Sequence, residues 1–313
     1  MGLPALLQAL GAGLYGLLAT PTRRCPFCGE TYSFLPLSAR QDASPELPIW
    51  FPWAGCPRCL SSLPFVVPPF CQRCGRPLRQ TSAPICANCR YHQHFFAVAR
   101  AVGVYDGALR HWIQLLKYAD RVEIASGLGV LMGELALLDP VLQAVEVVVP
   151  VPVSPERQRE RGYNQAELLA RPLADRLGLP VAADALLRNA GGISQSLLTG
   201  DARRRNAFGL YAMGRPAGVA GRRVLLVDDI LTTAATANEV SRLLLKAGAL
   251  EVKVIVAAVG VQRTDWARAA AGAGEDGERN QQPGDSSLTA NLSIGIMGRS
   301  KRRDVREDLP PGD

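Results

Sequence analysis

No cysteine lies outside residues 25–89, no positive charge precedes the first apolar stretch, and the last fifty residues carry no regular hydrophobic period. Each absence excludes something. The eight cysteines fall in four Cys-x-x-Cys pairs: Cys25/Cys28, Cys56/Cys59, Cys71/Cys74 and Cys86/Cys89. Disulfide frameworks rarely consist only of that spacing, whereas zinc sites usually do. Thiolate–zinc sites suit a reducing compartment, so a cytoplasmic protein is expected. The opening "MGLPALLQALGAGLYGLLATPTRR" lacks the charged start of a secretory signal. Its leucines (3, 6, 7, 10, 14, 17 and 18) repeat with helical period, which predicts an amphipathic helix over residues 1–24. That stripe packs on the rest of the protein or meets a membrane or partner surface, because four glycines make a poor isolated helix. No integral membrane insertion is expected. Residues 263–313 are Gly-, polar- and charge-rich and read as a disordered tail, with "GRSKRR" solvated or against an anionic partner.

What is present is ordinary globular composition, 48% hydrophobic and 20% charged over 313 residues, which suggests one large domain plus something smaller. A formal charge of +7 and a pI near 9.1 favour anionic partners: nucleic acid, phosphorylated metabolites or a membrane surface. From Cys25 to about Arg90 periodicity is poor and eleven of the 23 prolines occur. Such a segment builds little core, so bound metal has to supply its folding free energy. An insertion-like loop, "TYSFLPLSARQDASPELPIWFPWAG", separates the first two cysteine pairs. Each Cys-x-x-Cys turn brings two thiolates to one side, and two turns close a tetrahedral structural site. Sequential filling gives one zinc on the first two pairs and a second on the last two; an interleaved arrangement stays open. With the ligand positions filled, His92 and His94 read as surface residues.

From Phe95 the texture alternates between helices and strands. "FFAVARAVGVYDG" reads as strand and turn, and "ALRHWIQLLKYADR" as a helix with Leu109, Trp112, Ile113 and Leu116 inward. "VEVVVPVP" is a buried strand, and "NQAELLARPLADRLG" a helix with Asn164 as N-cap and Gly178 past its end. "RRVLLVDDI" is a second buried strand, "TANEVSRLLLKAG" a helix and "EVKVIVAAVGV" a third strand. Apolar strands separated by helices indicate a mostly parallel sheet covered on both faces, with ligands at the strands' carboxyl ends.

One such end is "VLLVDDILTTAAT". Asp228 and Asp229 close the strand, and Thr232, Thr233, Ala234, Ala235 and Thr236 lead into the next helix. A loop entering a helix N-terminus presents free N–H groups to phosphate, and threonine hydroxyls add donors. Vicinal carboxylates suit a sugar's hydroxyls, or a magnesium ion held through water. Ribose 5-phosphate satisfies both halves. After the first buried strand, Arg157, Arg159 and Arg161 of "SPERQRERGYNQAE" meet a pyrophosphate or a DNA backbone, or form a solvated basic face. Lys117 of "LLKYADR" is a helix C-terminal cation or a phosphate contact. "RNAGGISQSLLTGDARRRNAF", with Arg203 to Arg205, is a lid, a DNA-contacting strip or a solvated loop.

The apolar run, two acids and Thr-rich loop resemble the type I phosphoribosyltransferases. In that family the acids hold the ribose hydroxyls of phosphoribosyl pyrophosphate (PRPP) and the loop wraps its 5-phosphate. The sequence departs from the pattern at Ala234, where the family usually has glycine. "VVVPVPVSPERQRERGYNQAELLA", "YDGALRHWIQLLKYADR" and the cysteine module resemble the ComF family over about residues 1–262. The resemblance implies a double zinc-ribbon module over 25–94 and an α/β, parallel-sheet phosphoribosyltransferase-like domain over 95–262. It implies two structural zinc ions, magnesium with PRPP, and work in natural competence, the cytoplasmic handling of incoming single-stranded DNA with other competence proteins. An active phosphoribosyltransferase releasing pyrophosphate and a zinc-held adaptor with a degenerate site are the competing expectations; no acceptor base or amine is identified.

Overall fold

A computed structural model describes residues 22–33, 54–78, 83–189 and 209–261. The leucine stripe, the loop over 34–53, Arg203 to Arg205 and the expected tail lie outside the described residues. Thr22–Arg24, the end of the expected N-terminal helix, are extended instead: as β1 they pair antiparallel with β2 (Thr31–Ser33) around the first Cys-x-x-Cys turn. Single-turn helices α1 (Pro57–Ser61) and α2 (Ala87–Tyr91) start directly after Cys56 and Cys86. There follow β3 (Val98–Val104), α3 (Gly107–Tyr118), α4 (Glu123–Leu138), β4 (Val147–Pro150), α5 (Pro155–Arg161) and α6 (Gln165–Leu177). A short antiparallel pair, β5 (Leu186–Arg188) and β6 (Tyr211–Met213), precedes β7 (Arg223–Leu231), α7 (Ala235–Lys246) and β8 (Glu251–Val259). Among the described residues no helix is long and apolar enough to cross a membrane.

The main sheet runs β3-β8-β7-β4 with every pairing parallel. Its inner strands are continuous apolar runs because both faces are covered. Val224 to Val227 are all fully buried, and each such side chain contributes roughly 1.5–3 kcal/mol. Successive residues face opposite sides. Leu225 and Val227 join α3, α4 and α6 in one core cluster, while Val224 and Leu226 join α7 in the other. Leu109, Trp112, Ile113 and Leu116 are buried as the α3 period predicts. The Asn164 side chain accepts from the Ala166 N–H to open α6, and Gly178 closes it in the left-handed conformation.

Helix α4 has no counterpart in the sequence reading. Its "SGLG" resembles a turn, yet the glycines serve close packing. A Cβ on Gly129 would lie 2.3 Å from Pro172 Cγ of α6, and one on Gly127 would lie 2.6 Å from the Phe27 ring. The first cysteine turn thus sits directly on α4, with Phe27 also stacked on Trp112 at 4.1 Å between centroids. The cysteine-bearing segments share the domain's core: Cys25, Cys56 and Cys59 lie in the α4-side cluster, Cys71, Cys74 and Cys89 in the α7-side cluster.

Candidate functional site

The eight thiols gather as two quartets, Cys25/Cys28/Cys56/Cys59 and Cys71/Cys74/Cys86/Cys89, each with its sulfurs within 4.8 Å of one another. The grouping is sequential, which decides the pairing the spacing left open. A zinc ion at about 2.3 Å from four tetrahedral sulfurs sets them roughly 3.8 Å apart. Cys28 and Cys56 are 3.8 Å apart, Cys74 and Cys86 3.7 Å, far beyond a disulfide bond. Backbone donors already aim at sulfur: Cys56 N–H at Cys25 Sγ (3.4 Å) and Cys86 N–H at Cys71 Sγ (3.3 Å). Burial pushes the Cys25 thiol up, but the N–H groups of Cys56, Cys28 and Phe27 outweigh it and leave it at about 7. The quartets fit zinc and leave no ligand position open. His92 is exposed as expected, but His94 is half-buried, stacked on Phe96, with Nε2 3.5 Å from Cys89 Sγ. Burial and the neighbouring Arg73 push His94 down to about 4, so it is neutral at pH 7.

At the carboxyl end of β7 the two aspartates diverge, as the two-residue period of a strand requires. Asp229 points with Leu225 and Val227 toward α3 and meets Lys117 Nζ at 2.9 Å, with side chains 6% and 17% exposed. No other donor among the described residues reaches that buried Oδ2. Burial alone would lower the Lys117 pKa; the charge of Asp229 outweighs it and raises it. Lys117 is therefore neither a free helix-end cation nor a free phosphate ligand. Asp228 turns to the other face, half-buried, with Oδ1 accepting from the Asp229 N–H at 2.8 Å. Burial, then the Asp229 charge, pushes its carboxyl up to about 7, with Lys117 and Arg188 acting the other way.

The loop beyond them is held from several sides. Ala234, the N-cap residue of α7, has φ 62°, the left-handed region that favours glycine, and gives no side-chain cap. The Ala235 N–H donates to Thr233 Oγ1 at 3.4 Å, and the first turn of α7 carries no acid. That leaves an electropositive helix start. Thr236 lies in the first turn, hydrogen-bonded to Tyr211, whose phenol is raised mainly by burial. Arg188 lies over the Tyr211 ring and donates to its hydroxyl at 3.3 Å. Arg157, half-buried in the first turn of α5, acts electrostatically on the same Tyr211. Arg161 instead lies over Tyr118, 5.2 Å from the ring centroid, and donates to Gln165, while Arg159 is exposed and folds back on Pro155 O. Of the expected cations, Lys117 joins the acids and Arg157 acts on Tyr211; Arg161 belongs to the α3–α6 seam.

A family model described as "Phosphoribosyl transferase domain" matches residues 164–273. Competence protein F of Haemophilus influenzae is 33% identical over 206 residues, 64% of this chain and 87% of that protein. The chain belongs to the ComF family. Other relatives of this ComF-family chain are the DNA utilization protein YhgH of Escherichia coli (strain K12), 32% identical over 59% of this chain and 81% of that protein. Competence protein ComFC of Bacillus subtilis is 28% identical over 62% and 78%. Among solved structures, an adenine phosphoribosyltransferase from Leishmania tarentolae is 17% identical at a TM-score of 0.31, covering 52% of this chain and 68% of that one.

Several residues around the ComF-family site escaped the sequence reading. Arg188 and Tyr211 flank a glycine-rich stretch, and nothing local marks them as neighbours. Arg76, two residues past Cys74, donates from Nη2 to Thr232 O at 2.6 Å across 156 residues of chain. Its only sequence signal is its place beside a cysteine turn.

Proposed function

We propose that the chain binds PRPP or a related phosphoribosyl ligand at the end of β7 and acts, as its relatives' names suggest, in natural competence, handling incoming single-stranded DNA in the cytoplasm. The observation that carries this reading is the arrangement of Asp228, Asp229 and Lys117 beside an uncapped helix start at Thr232 to Thr236. In this reading the loop N–H groups take the 5-phosphate. Asp228 accepts ribose hydroxyls, and a hydroxyl donor or cation arriving there would offset the burial and the Asp229 charge that raise its pKa. Lys117 holds Asp229 oriented until the sugar arrives. Magnesium takes one or two carboxylates plus substrate phosphates and keeps much of its water. Asp228, with no ion pair among the described residues, suits that role, and Arg157 suits a pyrophosphate. Ala234 supports binding rather than a lost site, because its backbone already has the shape a glycine would give.

The second reading, a turning-over phosphoribosyltransferase, uses the same residues and adds an acceptor. Two measurements test the readings and separate them. PRPP with magnesium raises the melting temperature of the wild type, and Asp228→Asn/Asp229→Asn abolishes the shift. No shift at millimolar PRPP refutes both. Pyrophosphate release with a panel of bases or amines distinguishes enzyme from binder. Single-stranded DNA binding that does not weaken with salt would count against arginine–phosphate contacts.

A further inference from the structure

Resting on the reading of Thr232 to Thr236 as the phosphate loop, we propose that the second cysteine quartet, with its metal, positions that loop through Arg76 and Asn238, so that metal and phosphoribosyl ligand raise each other's affinity. Arg76 and Asn238 are then positioning residues, on opposite ends of the ligand loop.

The first arm starts at the Cys71–Cys74 turn. Cys71 N–H donates to Arg76 O at 2.7 Å and Gly75 N–H to Cys71 O at 2.8 Å, so the turn's shape fixes where Arg76 leaves it. The turn lies against β3: Ala99 N–H donates to Arg73 O, and a Cβ on Gly75 would be 2.8 Å from Ala99 O. From there the Arg76 guanidinium reaches Thr232 O at 2.6 Å, while its buried Nε finds no acceptor among the described residues. The second arm starts at Cys89. His94 lies 3.5 Å from its sulfur, Arg73 Nη2 donates to His94 O at 2.9 Å, and the next residue's N–H (Phe95) donates to Asn238 Oδ1 at 2.6 Å. The loop is thus gripped at Thr232, where it begins, and at Asn238, in the first turn of α7. Between the grips stands Ala234 in a backbone region that non-glycine residues avoid.

Without a central ion the four thiols are joined only by weak S–H···S and N–H···S contacts, so metal loss loosens the turn that aims Arg76. The loop then spreads over more conformers, and apparent ligand affinity falls by the fraction that stays competent. Linkage makes the effect reciprocal at equilibrium.

The test uses the full-length zinc-loaded chain, ribose 5-phosphate as probe and a chromophoric chelator. Ribose 5-phosphate is expected to raise the chelator concentration needed to extract one of the two zincs by roughly five- to tenfold, the lower range of allosteric couplings. Calorimetry is expected to give a similar loss of ribose 5-phosphate affinity in Arg76→Ala and a smaller loss in Asn238→Ala. The exposed Arg58→Ala, beside the first quartet, leaves both unchanged. Ribose 5-phosphate that binds wild type and Arg76→Ala equally, and protects neither zinc, overturns the proposal while leaving the binding reading intact. If neither the sugar phosphate nor PRPP binds wild type, the binding reading falls, and amide exchange decides the coupling alone. Faster exchange at 232–238 on withdrawal of one zinc supports it, and unchanged exchange refutes it. Should Arg76→Ala fail to fold, Asn238→Ala carries the same comparison.

Discussion

Replacing Lys117 by methionine removes an ammonium of nearly the same chain length from a pocket where it is 17% exposed, and leaves Asp229, 6% exposed, without its partner. Breaking a buried pair from one side typically costs about 3–5 kcal/mol, because a charge stays buried and uncompensated. The methionine retains much of the aliphatic packing, so most of the loss is electrostatic. Lys117→Met is therefore expected to lose about 3 kcal/mol at pH 8. Lys117→Met/Asp229→Asn removes both charges and recovers most of the loss, since a neutral pair with similar volume is often tolerated. Urea unfolding in zinc-containing buffer, with unchanged m-values as the check that the same transition is followed, measures all three variants against wild type. A single-variant cost below about 1 kcal/mol at pH 8, or no recovery in the double variant, would show that the 2.9 Å pair contributes little and that Lys117 is held by packing alone.

The raised carboxyl of Asp228 gives a pH signature of opposite sense to an ordinary salt-bridged acid. The folded protein holds its proton up to about pH 7 while the unfolded chain releases it near 3.8, so this group's stabilisation falls as pH rises across that window. Asp228→Asn is expected to flatten that slope and to stabilise the unliganded protein at pH 8, as read by melting temperature; a steeper slope would contradict the assigned burial. Ala234→Gly releases a left-handed strain of about 1–2 kcal/mol against a glycine entropy cost of about 0.5–1, so a gain of about 0.5 kcal/mol with tighter phosphate binding is expected. Gly129→Ala forces a methyl group into Pro172 and the Leu169 carbonyl and is expected to cost about 1–3 kcal/mol in urea unfolding; a neutral result would mean α4 and α6 separate freely.

Much of the frame was legible because its causes are local. Asn164 and Gly178 mark the ends of α6 by capping chemistry, the α3 period names its own buried face, and the Val224–Val227 run declares a strand covered on both sides. The site was legible as a place but not as an arrangement. Two adjacent acids read as one clamp, yet strand alternation sends Asp229 to Lys117 and Asp228 to the Tyr211 side. Contacts such as Lys117–Asp229 and Arg76–Thr232 join residues more than a hundred positions apart, and no local pattern encodes them. Helix α4 was hidden because glycine at Gly127, Gly129 and Gly133 signals a break by propensity while tertiary packing uses it for close approach. His94 escaped for a similar reason, since its burial depends on Phe96 and Cys89 folding around it.

The order β3-β8-β7-β4 has a consequence for how the chain is made. The cysteines and β3 leave the ribosome early, but the strand that joins β3 to the rest of the sheet, β8, is translated about 150 residues later. At roughly 5–20 residues per second, β3 waits on the order of ten seconds with one edge unpaired. During that wait the nascent segment can load zinc and shield β3 with the Cys71–Cys74 turn, whose Arg73 carbonyl already takes the Ala99 N–H. A ribosome that stops before Val259 leaves a sheet without one of its two inner strands, so early metal loading would be a form of self-chaperoning for a chain in which that strand arrives last.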